Sequence, residues 1–309
     1  MKTLEILSVN ISEKKGVVKT PVNSIILNET GIEGDAHAGY WHRQVSLLAQ
    51  ESIEKAEITA GASFPPGTFA ENFTTRGIEL HKTAPFDKFI NCEIELEVTQ
   101  IGKKCHNTCA IGKQIGNCIM PLEGIFCRVI RGGEVTPGMV FEYVPRVIKV
   151  KIITLSDRAF KGVYKDESGP NIQRLMSTHF SAINRHFSIE NVILPDDKMQ
   201  LEQEIEKAVK NAADIIITAG GTGIGARDIT PETVKPLLTK EITGIMELIR
   251  VKYGTINPNA ALSRSIAGVI GNTLIYCLPG SVKATFEYIN EITPTIEHSF
   301  RMIYGIDSH

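Results

Sequence analysis

The densest run of residues able to do chemistry is Thr218-Ala219-Gly220-Gly221-Thr222-Gly223, which continues through Ile224-Gly225-Ala226-Arg227-Asp228-Ile229 to Thr230-Pro231-Glu232. Glycines placed directly after an apolar strand let the backbone turn sharply and bring its N–H groups close to an anion. Thr230 reads as the N-cap of the next helix, with Pro231 at its first position and Glu232 in its first turn, so helical N–H groups would add to an anion site. The segment is neither a P-loop, since no Gly-Lys-Ser/Thr follows, nor a GxGxxG dinucleotide fingerprint. A tight strand-to-helix connection would use the same glycines. Acidic residues recur after neighbouring strands, in Ser156-Asp157-Arg158, in Asp166-Glu167-Ser168-Gly169-Pro170 and in Pro195-Asp196-Asp197. Carboxylates facing a phosphate cradle repel the ligand unless a divalent cation stands between them. Asp196 and Asp228 are therefore read together as functional residues rather than caps or turn formers. Asp197 fits a helix cap or turn residue better.

These residues need a parallel sheet to gather them. From Pro145-Arg146 onward strands alternate with helices: strand 147–155, helix 168–180, strand 188–194, helix 199–213, strand 214–219. That order predicts a three-layer α/β domain with a mostly parallel sheet, whose ligands sit beyond the carboxyl ends of the strands. Strands 266–270 and 273–278 flank Gly271-Asn272 as a hairpin, and a closing helix follows Pro279-Gly280. The first half reads differently. Short runs at 4–11, 24–27, 44–49, 93–99 and 125–130, punctuated by Gly and Pro, predict a β-rich barrel with one helix at 50–60. Residues 129–141 read as a hairpin turning at Gly132-Gly133. The chain of 309 residues is thus expected to hold two domains, 1–145 and 146–309.

Composition narrows the function classes. The formal charge is −2 and neither half carries a marked positive excess, so nucleic acid and anionic membrane are not expected partners. No apolar run approaches the ~20 residues of a membrane helix, and Glu5 interrupts any apolar leader. Six cysteines in a chain this long do not form a small disulfide scaffold. A soluble, cytoplasmic protein is the expectation.

The second half resembles the MogA/MoaB-type molybdopterin-binding family, which includes the gephyrin G domain. The resemblance is carried by Leu155-Ser156-Asp157-Arg158, Asp166-Glu167-Ser168-Gly169-Pro170, Pro195-Asp196, Gly220-Gly221-Thr222-Gly223, Arg227-Asp228-Ile229-Thr230-Pro231-Glu232, Leu262-Ser263-Arg264 and Leu278-Pro279-Gly280-Ser281. It implies a homotrimeric enzyme that adenylylates molybdopterin with ATP and Mg²⁺. Asp196 and Asp228 would bind the metal and catalyse, and Gly220 to Gly223 would cradle phosphate. Ser156, Asp157, Ser168, Gly169, Thr230, Pro231, Glu232, Pro279 and Gly280 would complete the substrate site. Ser263, Ser281 and Lys283 would hold pterin phosphate or pyran oxygens. Glu247 and Arg250, one turn apart on a predicted helix, are either substrate contacts or a surface pair.

The first half resembles the MOSC domain, found in molybdenum cofactor sulfurases, through Gly31-Ile32-Glu33-Gly34-Asp35-Ala36-His37, Arg43-Gln44-Val45-Ser46-Leu47-Leu48, Phe69-Ala70-Glu71-Asn72-Phe73-Thr74-Thr75-Arg76-Gly77-Ile78 and Gly132-Gly133-Glu134-Val135-Thr136-Pro137-Gly138. The resemblance points to Cys105 as the cysteine of sulfur or molybdenum chemistry. Lys103, Lys104 and His106 beside it favour the thiolate. Cys105, His106, Cys109 and Cys118 are alternatively zinc or iron ligands, or inert thiols. Cys92, Cys127 and Cys277 read as small apolar residues within strands. Asp35 and His37 are site residues or turn formers. Glu71 and Asn72 line a pocket or cap a strand. Arg43 binds a substrate phosphate or lies along the barrel rim, where Trp41 also belongs. The reading that follows is a two-domain enzyme of molybdenum cofactor biosynthesis whose first domain handles the cofactor by sulfur or metal transfer. A non-catalytic cofactor carrier and a Cys/His metal-binding regulator are the alternatives.

Overall fold

The computed structural model describes residues 2–103 and 118–306. Cys105, His106 and Cys109 lie outside the described residues. The chain divides into two compact units, one running to Arg146 and the other spanning Val147–Gly305.

The first unit contains strands β1 (Thr3–Ile11), β2 (Thr20–Val22), β3 (Ile25–Asn28), β4 (Gly31–Ile32), β5 (Val45–Ala49), β6 (Phe73–Arg76), β7 (Lys88–Ile90), β8 (Glu95–Ile101), β9 (Ile125–Arg131), β10 (Gly133–Val135) and β11 (Val140–Val144), with one long helix, α1 (Gln50–Ala60). The main sheet runs β11-β7-β8-β9-β5-β6-β1-β2, and pairing of β11 with β1 closes it into a barrel. Closure removes the edges that would otherwise expose unpaired backbone groups. Inward side chains such as Leu4, Ile6, Leu47, Phe73, Phe89 and Phe141 fill the core. The β5–β6 pair is parallel, and α1 lies on the crossover that parallel neighbours require.

Two expectations change here. Gly132-Gly133 does not close a hairpin, because β10 leaves β9 and pairs antiparallel with β3. The glycines permit that approach: a Cβ on Gly132 would lie 2.2 Å from the Leu27 carbonyl oxygen. Cys92 is not in a strand but in the exposed connection between β7 and β8.

The second unit contains β12 (Val147–Leu155), α2 (Asp157–Phe160), α3 (Ser168–Ala182), β13 (His186–Leu194), α4 (Lys198–Lys210), β14 (Ile215–Ala219), α5 (Thr230–Val234), β15 (Lys240–Glu241), α6 (Thr243–Gly254), β16 (Ala267–Ile270), β17 (Thr273–Leu278) and α7 (Val282–Ile303). The sheet order is β13-β12-β14-β17-β16-β15. It is mixed: β13, β12, β14 and β17 are mutually parallel, whereas β16 and β15 join antiparallel. The Gly271-Asn272 turn of the β16–β17 hairpin uses a left-handed Gly271 at φ 60°. On one face Ile153, Leu155, Ile216 and Ile275 pack against Leu201 and Ile205 of α4 and Val234 of α5. The amphipathic α7 buries Tyr288, Ile289, Ile292, Ile296 and Phe300.

Candidate functional site

Four parallel strands end at the same edge of the sheet. β12 leads to Ser156, β13 to Asp196, β14 to Gly220 and β17 to Gly280. The chain moves to opposite sides of β12 for β13 and β14, so the order reverses there and a crevice opens beyond the strand ends. Gly220 (φ 117°) and Gly221 (φ 64°) make the corner after β14. A Cβ on Gly220 would meet the Leu155 carbonyl oxygen at 2.3 Å, and one on Gly221 would meet Thr230 Oγ1 at 2.5 Å. Only glycine fits both backbone positions.

Thr230 is not the N-cap. It is the first residue of the five-residue α5, its N–H donates to the Gly221 carbonyl and its hydroxyl donates to the Gly220 carbonyl. That hydroxyl ties the helix to the corner, and the short helix supplies little dipole. The free amides are those of the corner itself. Among the described residues, the amides of Gly221, Thr222 and Gly223 donate to no protein acceptor.

A first cavity of about 360 Å³ is lined by Ser156, Asp157, Arg158, Tyr164, Asp166, Ser168, Asp196, Gly221, Arg227, Asp228 and Gly280, among others. Asp157 accepts hydrogen bonds from the Asp196 amide (3.2 Å) and from Arg227 Nη1 (3.2 Å). Burial, reinforced by the charges of Asp157 and Asp228, pushes the Asp196 carboxyl above its ordinary range even with Arg227 nearby. Asp228 is folded back onto its own loop, its Oδ2 accepting the Gly225 amide at 2.8 Å. Asp166 Oδ1 accepts the amides of Ser168 and Gly169, closing the start of α3, and Ser168 Oγ donates to the Gly280 carbonyl at 2.6 Å. Asp197 caps α4 through the Gln200 amide. Ser156 Oγ accepts the Ala159 amide and pairs with Tyr164 Oη at 2.8 Å, while the Arg158 guanidinium lies 5.2 Å from the Tyr164 ring.

A second cavity of about 460 Å³ adjoins it, sharing Gly221, Asp228 and Gly280. Its walls are more apolar and include Thr222, Gly223, Tyr253, Ser263, Pro279, Ser281, Lys283 and Tyr288. Ser281 caps α7 through the Ala284 amide, and Lys283 is exposed at 3.7 Å from Glu287. Pro231 is buried within α5, and Glu232 is drawn out to Arg264, whose hydrogen bond holds its carboxyl low. Glu247 and Arg250 enter neither cavity. They line a third, of about 360 Å³, and Arg250 Nη1 donates to the Ser265 carbonyl at 3.0 Å.

Sequence reading omitted Arg158, Tyr164, Asp166 and Arg227 from the site, although three of them stand in motifs it quoted. Tyr164 carries no such signal, since a tyrosine in a loop has no spacing partner. Tyr253 and Tyr288 were missed because they come from helices far along the chain. Burial, with help from Glu291, pushes the Tyr253 phenol up to about 12.

In the first unit, Asp35 and Lys19 form an ion pair with both side chains fully buried. Asp35 also accepts the Asn72 side-chain amide at 3.1 Å and lies 3.2 Å from His37 Nδ1. Burial raises the Asp35 carboxyl, but hydrogen bonds from His37 and Lys19 outweigh it and hold it well below the usual range. Glu71, wholly buried, accepts the amides of Gly67 and Phe69 and the Thr74 hydroxyl, and burial still pushes its carboxyl up. Asn72 binds the Ser46 amide and the Asn10 carbonyl. Asp35, Glu71 and Asn72 thus brace the loops around β6, while His37 remains partly exposed beside Trp41. Arg43 stacks on Trp41 at 4.9 Å. Cys127 and Cys277 are buried, which pushes both thiols up, Cys277 to about 12. The described residues contain no cluster of three or more metal-ligating side chains. No described helix is long and apolar enough to cross a membrane.

Comparison with known proteins agrees with this division. Residues 151–298 match a family described as "Probable molybdopterin binding domain", and residues 34–142 match the MOSC domain. A molybdopterin adenylyltransferase of Pyrococcus furiosus is 36% identical over 159 residues, which are 50% of this chain and 90% of that protein. A molybdenum cofactor biosynthesis bifunctional protein of Chlorobaculum tepidum is 35% identical over 170 residues, 54% of this chain and 51% of its own. Gephyrin of Dictyostelium discoideum is 38% identical over 160 residues, but the match spans only 22% of gephyrin. The solved structure of MogA superposes on 50% of this chain and 99% of its own, with 32% identity and a TM-score of 0.47.

Proposed function

This chain belongs to the MogA/MoaB-type molybdopterin-binding family, with a MOSC domain ahead of that unit, and we propose that it adenylylates molybdopterin at the crevice of the second unit. One observation carries the reading: Gly221 of the glycine corner, whose amide has no acceptor among the described residues, lines one cavity with Asp157, Asp166, Asp196 and Asp228, and that cavity adjoins a second, more apolar one. ATP occupies the first cavity, with its phosphates at the glycine corner where Gly221 lines it. Molybdopterin occupies the second, its phosphate directed to the shared wall by Ser263, Ser281 and Lys283.

Asp196 and Asp228 line one cavity, and two carboxylates together with nucleotide phosphates are a ligand set that magnesium accepts. Asp196 is pushed up by burial and, to a lesser degree, by the charges of Asp157 and Asp228, and a cation would favour its ionised form. Asp196 and Asp228 would hold the ion, and Asp157 is shared with Arg227. Magnesium bound there would neutralise charge on the nucleotide phosphates. A terminal phosphate oxygen of molybdopterin forms a bond to the α-phosphorus of ATP, the bond from that phosphorus to the bridging oxygen breaks, and pyrophosphate leaves. The protein's contribution is chiefly placement and charge compensation, since this chemistry needs little covalent help. Arg227 is positioned to meet the departing pyrophosphate once it releases Asp157.

The first unit is assigned to cofactor handling, with Cys105 as its thiol. The assembly is a homotrimer acting in the cytoplasm. Asp228→Ala tests the central reading: pyrophosphate release from ATP and molybdopterin falls by about 10²-fold or more, a range typical of removing one electrostatic stabiliser. Pterin binding, followed by fluorescence, stays largely unchanged. Release at the wild-type rate overturns the role.

A further inference from the structure

We infer that Arg264 mechanically couples the two cavities, so that molybdopterin and the nucleotide bind cooperatively. The inference rests on the two-substrate reading above and adds a positioning residue to it. Arg264 follows Ser263, which lines the second cavity. Its own backbone N–H donates to the Thr222 carbonyl at 2.9 Å. Its guanidinium then spans the loop of the first cavity. Nε donates to the Gly223 carbonyl at 2.6 Å, Nη2 to the Asp228 carbonyl at 2.8 Å, and Nη1 pairs with Glu232. One side chain therefore holds both ends of the segment 223–228 and the first turn of α5.

That segment has little freedom of its own. Asp228 N–H donates to the Gly225 carbonyl at 3.0 Å while its Oδ2 accepts the Gly225 amide, so the carboxylate direction follows the main chain. A Cβ on Gly223 would meet Asp228 Oδ2 at 2.7 Å, leaving no slack between the two. Behind Arg264 the chain is also fixed: Ser263 Oγ pairs with Ser265 Oγ at 2.7 Å, and Arg250 of α6 holds the Ser265 carbonyl. A ligand phosphate that draws on Ser263 displaces Arg264, and with it the loop that carries Asp228. Because the segment moves as one tied unit, a shift of Arg264 changes what the loop offers the nucleotide, and linkage requires the effect on the two affinities to be reciprocal. A lysine would keep the charge but cannot bridge three acceptors, because it lacks the planar fork.

The test is anaerobic calorimetry on the full chain, titrating magnesium with α,β-methylene-ATP in the presence and absence of molybdopterin, and then in the reverse order. The wild type is expected to bind each ligand at least about fivefold tighter when the other is present, the low end of ordinary coupling energies. Arg264→Gln and Arg264→Lys are expected to bind each ligand singly with near wild-type affinity while the coupling factor falls towards one. In turnover both lose kcat more than they raise either KM. Should Arg264→Gln not fold, Arg264→Lys carries the comparison. Coupling of wild-type size in the variants overturns the inference, as does its absence in a wild type that binds both ligands and releases pyrophosphate. A wild type that binds neither ligand overturns the two-substrate reading itself.

Discussion

Asp196 is a carboxylate that the fold keeps under electrostatic tension. Its folded-state proton affinity lies above that of an unfolded aspartate, because burial and the charges of Asp157 and Asp228 outweigh Arg227. Between the unfolded and folded values the native state therefore binds more protons than the unfolded one, and stability falls as pH rises through that window. A cation reverses the balance by favouring the ionised form. Two outcomes follow for the cation-free and magnesium-loaded protein. Asp196→Asn raises the thermal midpoint of the cation-free protein at neutral pH and removes the further stabilisation that magnesium gives the wild type. Magnesium affinity of the wild type weakens on acidification, beginning above the pH at which an ordinary aspartate titrates. Differential scanning calorimetry with and without the ion checks both. The placement of Asp196 and Asp228 beyond the strand ends, in one cavity, is legible in the sequence because each stands after an apolar strand in a recognisable motif. The buried Lys19–Asp35 pair was not, since lysine is rarely fully buried and its partner lies on a separate loop.

At the scale of elements, the glycine corner joins β14 to α5 through a conformation that side chains resist. Gly220→Ala places a Cβ against the Leu155 carbonyl at positive φ, so it is expected to destabilise the protein by at least about 1 kcal/mol. It also suppresses pyrophosphate release by moving the amides that follow. Chemical denaturation and a pyrophosphate assay measure the two losses separately. Elements with strong local signals were read closely: α1 spans Gln50–Ala60, β12 spans Val147–Leu155, and the hairpin turns at Gly271-Asn272. Elements defined by distant partners were not. β10 pairs with β3, over a hundred residues earlier, and nothing near Gly132 announces that partner. Thr230 had the residue type of a cap, but its hydroxyl is taken by the Gly220 carbonyl across the corner. Glu247 and Arg250 have site-like chemistry and helical spacing, yet α6 turns them towards a different hollow.

At the scale of the whole molecule the closed barrel ends with β11 at Val144 and the mixed α/β sheet begins with β12 at Val147. The second unit has its own core, and the lining residues of both cavities come from it. The Pyrococcus relative matches that unit over 90% of its own length. Residues 147–305 produced alone are therefore expected to fold and to release pyrophosphate at a rate close to that of the full chain. A thermal melt and the same assay decide it, and an unfolded or inactive fragment contradicts it. Gly221, Asp228 and Gly280 belong to the walls of both hollows, so the proposed nucleotide and pterin would share that wall. A compound that tethers an adenosine phosphate to a pterin through a short uncleavable bridge would seat both halves while losing translational freedom only once. Such a bisubstrate mimic should outcompete either parent ligand.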